Sequence, residues 1–162
     1  MAVRKSSATA ASVERDLVIT RVFDAPPETV FKAWTDPEKI VQWFGPPGVR
    51  AEVNEMDARQ GGRYRITMRG EESGGLWIVA GVYREITPPR RLVITWTWQN
   101  DTPEHRGGHE MLVTVTFQAK GRRTEMTLRQ ERLESAEARD SHARGWNGSF
   151  DRLTAMLAGQ RG

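Results

Sequence analysis

Apolar and polar side chains alternate along most of the middle of the chain. The period lengthens to three or four residues just after the first apolar run and again at the C-terminal end. Residues 17–23, opening Leu-Val-Ile-Thr, predict a strand rich in β-branched side chains. Pro26 and Pro27 then suit a first helical turn, where a missing N–H goes unmissed. Val30, Phe31 and Trp34 give the predicted helix 27–34 one apolar face. Asp36 followed by Pro37 signals a second short helix, with Ile40, Trp43 and Phe44 on its apolar side. Gly45-Pro46-Pro47-Gly48 stops it.

Period two takes over from Val49. It predicts strands at 49–56, 63–69, 76–86, 92–98, 110–118 and 124–130, separated by Gly- or Pro-bearing turns and one polar loop at 99–108. Leu92, Ile94, Trp96 and Trp98 share one strand face, and Met111, Val113, Val115 and Phe117 share another. Ser135 is the expected N-cap of a last helix over 136–157, with Gly159 as its stop. Ala138, His142, Trp146, Phe150, Leu153 and Leu157 form its packing stripe. Strands joined by short turns make an antiparallel sheet. The expected fold is therefore α+β: a curved antiparallel sheet of about seven strands wrapped around the C-terminal helix. One helix does not cover seven strands, so the curvature leaves an interior gap, and such gaps are ligand sites. The domain is expected over 16–159, behind an unstructured tail at 1–15.

Composition narrows the function. The 162 residues contain no cysteine, which removes disulfides, thiol nucleophiles and cysteine-held zinc. The start carries Arg4 and Lys5 but no apolar stretch, and no run is long enough for a membrane span. A cytoplasmic protein is expected, and the sequons at Asn100 and Asn147 are chance matches. The net charge of +3 is spread without a basic run, so no nucleic-acid partner is expected. Arg63, Arg65 and Arg69 should face water, with Glu52 across from one of them.

Six tryptophans are many for one small domain. Trp96 and Trp98 on a strand face and Trp146 on the helix stripe read either as core or as aromatic pocket walls. Tyr64, Trp96, Trp98, Met111, Val113, Met126, His142 and Trp146 form the expected ligand-binding set. His142 reads as a hydrogen-bonding structural histidine or as a ligand contact. Ser141, Gly145, Gly148 and Ser149 in the same helix let a neighbouring backbone or a ligand come close. His105 and His109 are four apart but lie in a glycine-bearing loop, so no metal site follows, and no cofactor is expected. Neither a Gly-x-Ser-x-Gly elbow nor a His-Glu-x-x-His helix occurs. Glu110 and Glu125 near strand ends are expected in solvent, and no catalytic residue is assigned.

Four segments carry a resemblance. They are 21–34 (RVFDAPPETVFKAW), 43–46 (WFGP), 81–92 (GVYREITPPRRL) and 145–153 (GWNGSFDRL). In this order they resemble the family of activators of the heat-shock protein 90 ATPase, within the START-like or SRPBCC superfamily, over about 17–157. The resemblance implies a helix-grip fold of the Bet v 1 type. It does not imply one activity, because the superfamily holds lipid carriers, hormone receptors, cyclases and antibiotic-sequestering proteins. The eukaryotic co-chaperones of the family carry a second, chaperone-binding domain for which this chain has no room, so a chaperone partner is not expected. The expected function is binding of a small hydrophobic or amphipathic molecule. The alternatives are a cyclase- or hydrolase-type enzyme using the same cavity, and a chaperone-interaction module as in the co-chaperone relatives. A homodimer stays open.

Overall fold

The computed structural model describes residues 16–161, with side chains as far as residue 159; the tail expected at 1–15 lies outside the described residues. Strand β1 (Leu17–Phe23) leads into helices α1 (Pro27–Thr35) and α2 (Pro37–Ile40). Strands β2 (Val49–Met56), β3 (Arg63–Gly70), β4 (Leu76–Thr87), β5 (Arg91–Trp98), β6 (Glu110–Lys120) and β7 (Arg123–Glu131) follow, and helix α3 (Ala136–Arg161) ends the chain. The sheet has seven strands in the order β1-β7-β6-β5-β4-β3-β2, and every pairing is antiparallel. It curls into a half-barrel around α3, which is the helix-grip arrangement. The first strand pairs with the last, so α1 and α2 carry the chain from one sheet edge to the other.

The register explains the inner face. Ile94 lies opposite Val113 and Trp96 opposite Met111, so the large side chains of β5 and β6 point the same way. All four are buried, and Phe150, Leu153 and Leu157 of α3 join the same core. The full burial of side chains such as Leu128 and Leu153 stabilises the fold by about 1.5–3 kcal/mol each. Ser135 caps α3, its Oγ accepting from the Ala138 N–H at 3.0 Å.

Local differences from the sequence reading have clear causes. Helix α2 is a single turn; Trp43 and Phe44 follow it in tightening turns, and their N–H groups both reach the Ile40 carbonyl. Helix α3 runs through Gly159, which does not take the left-handed conformation of a helix stop. Glu52 faces Thr67 rather than an arginine. The register of β2 shifts between Val53 and Glu55, where Asn54 Oδ1 accepts from Thr67 Oγ1 at 2.6 Å. That bulge brings Glu55 opposite Arg65 and within 3.9 Å of Arg63. Arg63, Arg65 and Arg69 are exposed. Among the described residues, no helix is long and apolar enough to cross a membrane.

Candidate functional site

A cavity of about 290 Å³ lies between the sheet and the first half of α3. Phe44, Gly45 and Pro46 of the α2–β2 connection and Val49 at the start of β2 form one side, and Met68, Trp77, Trp96 and Trp98 form the sheet floor. Ser141, His142, Gly145, Trp146 and Ser149 form the helix side, and Glu104 and His105 reach in from the β5–β6 loop. The helix contributors recur at spacings of three and four, which is one face of an α-helix.

Two glycines of α3 do separate work. A Cβ at Gly148 would sit 2.9 Å from Pro46 Cβ and 3.0 Å from Pro47 Cδ, so this glycine lets the α2–β2 connection lie against the helix. A Cβ at Gly145 would meet nothing within 4 Å, and this glycine lines the cavity. The connection is also held by polar contacts. Ser149 Oγ accepts from the Gly45 N–H and donates to the Gly145 carbonyl, both at 2.9 Å. The Arg152 guanidinium donates to the carbonyls of Gln42, Phe44, Gly45, Pro46 and Val49, with the shortest contact 2.8 Å, to Gly45. Burial lowers its pKa, and Glu71 opposes that shift.

The aromatic wall is continuous. Trp96 lies 5.0 Å from Trp146 and 5.4 Å from Trp98, the latter at 87° between planes. Trp146 stacks on Phe150 and donates its indole N–H to Gln130 Oε1 at 2.8 Å, which ties the helix to β7. His105 stacks on Trp98 with centroids 4.1 Å apart, and the two imidazoles are 5.7 Å apart.

Burial disfavours the charged form of both histidines. Trp98 Nε1 donates to His142 Nε2 at 3.0 Å. An indole only donates, so Nε2 carries the lone pair, and the proton sits on Nδ1, directed at the Ala138 carbonyl 2.7 Å away. With both ring nitrogens engaged, His142 is not poised as a general base in this arrangement. Burial is the main cause of its lowered pKa, partly offset by the Ala138 bond and Glu134. His105 is pushed down to about 4, by burial first and then by His142, against an upward pull from Glu104. Its two ring nitrogens and the Trp96 indole N–H are buried without a hydrogen-bond partner among the described residues. Glu104 and Arg144 are the charged residues on the wall, and both are exposed.

Of the residues expected from the sequence, Trp96, Trp98, His142 and Trp146 come together on this wall. Tyr64 is buried elsewhere: its hydroxyl donates to the Thr95 carbonyl at 2.6 Å, and it lines a separate void of about 10 Å³. Met111, Val113 and Met126 are packed in the core and do not line the cavity. Met111 Sδ instead accepts from Gln130 Nε2 at 3.5 Å, on the side of Trp146 that faces β7. Sequence reasoning missed Met68 and Trp77, although they are register partners on β3 and β4. It also missed His105, which sits in a loop where no periodicity points inward. Glu110 and Glu125 lie outside the cavity, near Arg84 at 3.8 Å and Lys120 at 3.6 Å.

Comparison with known proteins places this geometry. Residues 24–158 match the family model described as Activator of Hsp90 ATPase homolog 1-like protein. No curated protein matches the sequence. A crystal structure of a Chromobacterium violaceum protein is similar at 28% identity with a TM-score of 0.81, over 89% of this chain and 97% of that one. A crystal structure of a protein from Silicibacter pomeroyi, named for the same family, is similar at 28% identity with a TM-score of 0.79, over 90% of this chain and 99% of that one. A Mycobacterium smegmatis protein at 23% identity, with a TM-score of 0.74 over 88% of this chain and 90% of that one, shares the fold. The matched residues cover most of the domain, and the chain belongs to the activator of Hsp90 ATPase homolog 1-like family.

Proposed function

We propose that this domain binds a small hydrophobic or amphipathic molecule in the cavity between the curled sheet and α3. The observation that carries the reading is the cavity itself, about 290 Å³ and walled mainly by aromatic and apolar side chains. The space is open to solvent on one side, at Glu104 and Arg144, which gives a small molecule a way in. Its volume is near the lower end of the ~300–1,000 Å³ range of small-molecule sites. Gly145 adds support. A glycine inside a helix is destabilising by about 1 kcal/mol relative to alanine. At Gly145 no neighbouring atom requires one, and the surface left bare is cavity wall.

Native mass spectrometry of the protein purified without denaturant tests the reading. The expected result is a small-molecule adduct on the wild type that is lost in Gly145→Leu, a variant that fills the cavity from the helix side. An adduct that persists unchanged in Gly145→Leu would place binding elsewhere and contradict the proposal.

A further inference from the structure

We infer that the tip of the β5–β6 loop is a lid at the mouth of the cavity, latched by the His105 ring on Trp98 and released when that ring takes up a proton. The loop spans 99–109, and Glu104 at its tip stands on the open side of the cavity. Its ends are pinned to the sheet. The Gln99 N–H donates to the Ile78 carbonyl at 2.7 Å, and the Gly108 N–H donates to the Trp98 carbonyl at 2.8 Å. The Asn100 side chain accepts from the Ile78 N–H and donates to the Leu76 carbonyl, both at 2.9 Å. The tip is tied to itself instead. Thr102 donates its N–H to the His105 carbonyl at 2.9 Å, and its Oγ1 accepts from the Glu104 and His105 N–H groups at 3.3 and 3.2 Å. Among the described residues, no hydrogen bond or ion pair joins 101–106 to the sheet or to α3. What reaches across is the His105 ring, stacked on Trp98 with centroids 4.1 Å apart.

The stack suits a neutral ring and not a charged one. Both ring nitrogens of His105 are shut off from solvent and have no hydrogen-bond partner. A neutral imidazole leaves one donor and one acceptor unmet there. An imidazolium would leave two N–H donors unmet and a charge out of water, which is far more costly. The Trp98 face would attract the cation, but less than water does. His142 offers no relief, because its Nε2 accepts from Trp98 and its Nδ1 faces the Ala138 carbonyl. The charged and titratable groups nearby are Glu104 and Arg106 beside His105 in the loop, and His142 and Arg144 on α3. The cavity residues from the sheet and from the α2–β2 connection carry no charge. Glu104 is exposed and favours the charged ring, so its pull acts from the solvent side. With the lid shut, burial first and then His142 push His105 down to about 4, against about 6.5 for an imidazole in water. The open lid therefore binds the proton between those values, and the open-to-closed ratio rises as the pH falls through that window. Release of the tip widens the mouth of the cavity.

Distance measurement by double electron–electron resonance tests the lid, with nitroxides on Arg106→Cys in the tip and Ala155→Cys on α3. The chain has no cysteine of its own, and both positions are exposed. Far-UV circular dichroism at each pH checks that the domain stays folded. The expected result is one dominant distance at pH 7.5 and a second population at pH 5.5, with the open-to-closed ratio raised about tenfold. His105→Phe keeps a ring for the stack and cannot titrate, so the closed distance should persist at both pH values. His105→Ala removes the ring, so the open population should dominate already at pH 7.5. A distribution in the His105 protein that is the same at both pH values overturns release by protonation. An equal pH response in His105→Phe assigns the response to another group and overturns it as well. A closed tip in His105→Ala overturns the latch. The measurement is made on the loop without any ligand, so its outcome is independent of the binding function proposed above.

Discussion

Trp98 and His142 hold one another through a single indole-to-imidazole hydrogen bond of 3.0 Å, and His105 stacks on the same indole. Both imidazoles have pKa values lowered chiefly by burial. An unfolded chain takes up protons at these histidines as the pH drops below about 6.5, whereas folded His105 resists until about 4. The unfolded state therefore binds more protons in that window, and stability must fall as the pH falls through it. Urea unfolding from pH 7 to pH 4.5 should show this decline, with a shallower slope in His105→Gln; an unchanged slope would mean that His105 titrates alike in both states. Trp146 makes a second prediction at this scale. Its N–H is bonded to Gln130 Oε1, and Gln130 is fully buried. Trp146→Phe strands that acceptor and should lower stability by about 1–3 kcal/mol, read from denaturant midpoints. A smaller effect in a Gln130→Leu background would confirm that the bond, rather than the ring volume, carries the difference.

Helix α3 and the α2–β2 connection fit together through small residues and one arginine, and their contacts separate packing from binding. Gly145→Ala should stabilise by about 1 kcal/mol, because it improves helix propensity and meets no atom. Gly148→Ala should destabilise despite the same propensity gain, because its Cβ would press on Pro46 and Pro47. Thermal unfolding of the pair checks this, and equal shifts in one direction would show that the two glycines are equivalent. Arg152→Met should cost roughly 2–4 kcal/mol by leaving the carbonyls of Gly45 and Val49 without their charged donor. The sequence made this helix legible: the stripe from Ala138 to Leu157 and the Ser135 cap follow from spacing and cap chemistry. That both glycines needed a reason was also legible. Which one met a backbone and which met open space was not, because that depends on how the Pro46-Pro47 turn docks across the molecule.

The curled sheet as a whole decides which apolar side chains become wall and which become core. Period-two alternation marks the inner faces of β5 and β6 correctly, yet it treats every inward residue alike. Trp96 and Trp98 border the cavity, while Met111 and Val113, on the same face of the neighbouring strand, are sealed in the core. The difference comes from Trp146, whose bond to Gln130 leaves its ring in contact with both regions, and from the Gly145 gap one residue before it. These are long-range contacts with no signature along one strand. His105 shows the same limit from the loop side, since nothing in a polar loop says that one ring will stack on Trp98. The six tryptophans supply the most direct test of the cavity as the binding site. Trp77, Trp96, Trp98 and Trp146 line it, and Trp34 and Trp43 do not. Two-dimensional proton–nitrogen NMR resolves their indole N–H signals, and 2-naphthol, as a small amphipathic probe, should shift the four wall indoles progressively while Trp34 and Trp43 move least. Shifts largest at Trp34 and Trp43, or no shift at any wall indole, would contradict the account.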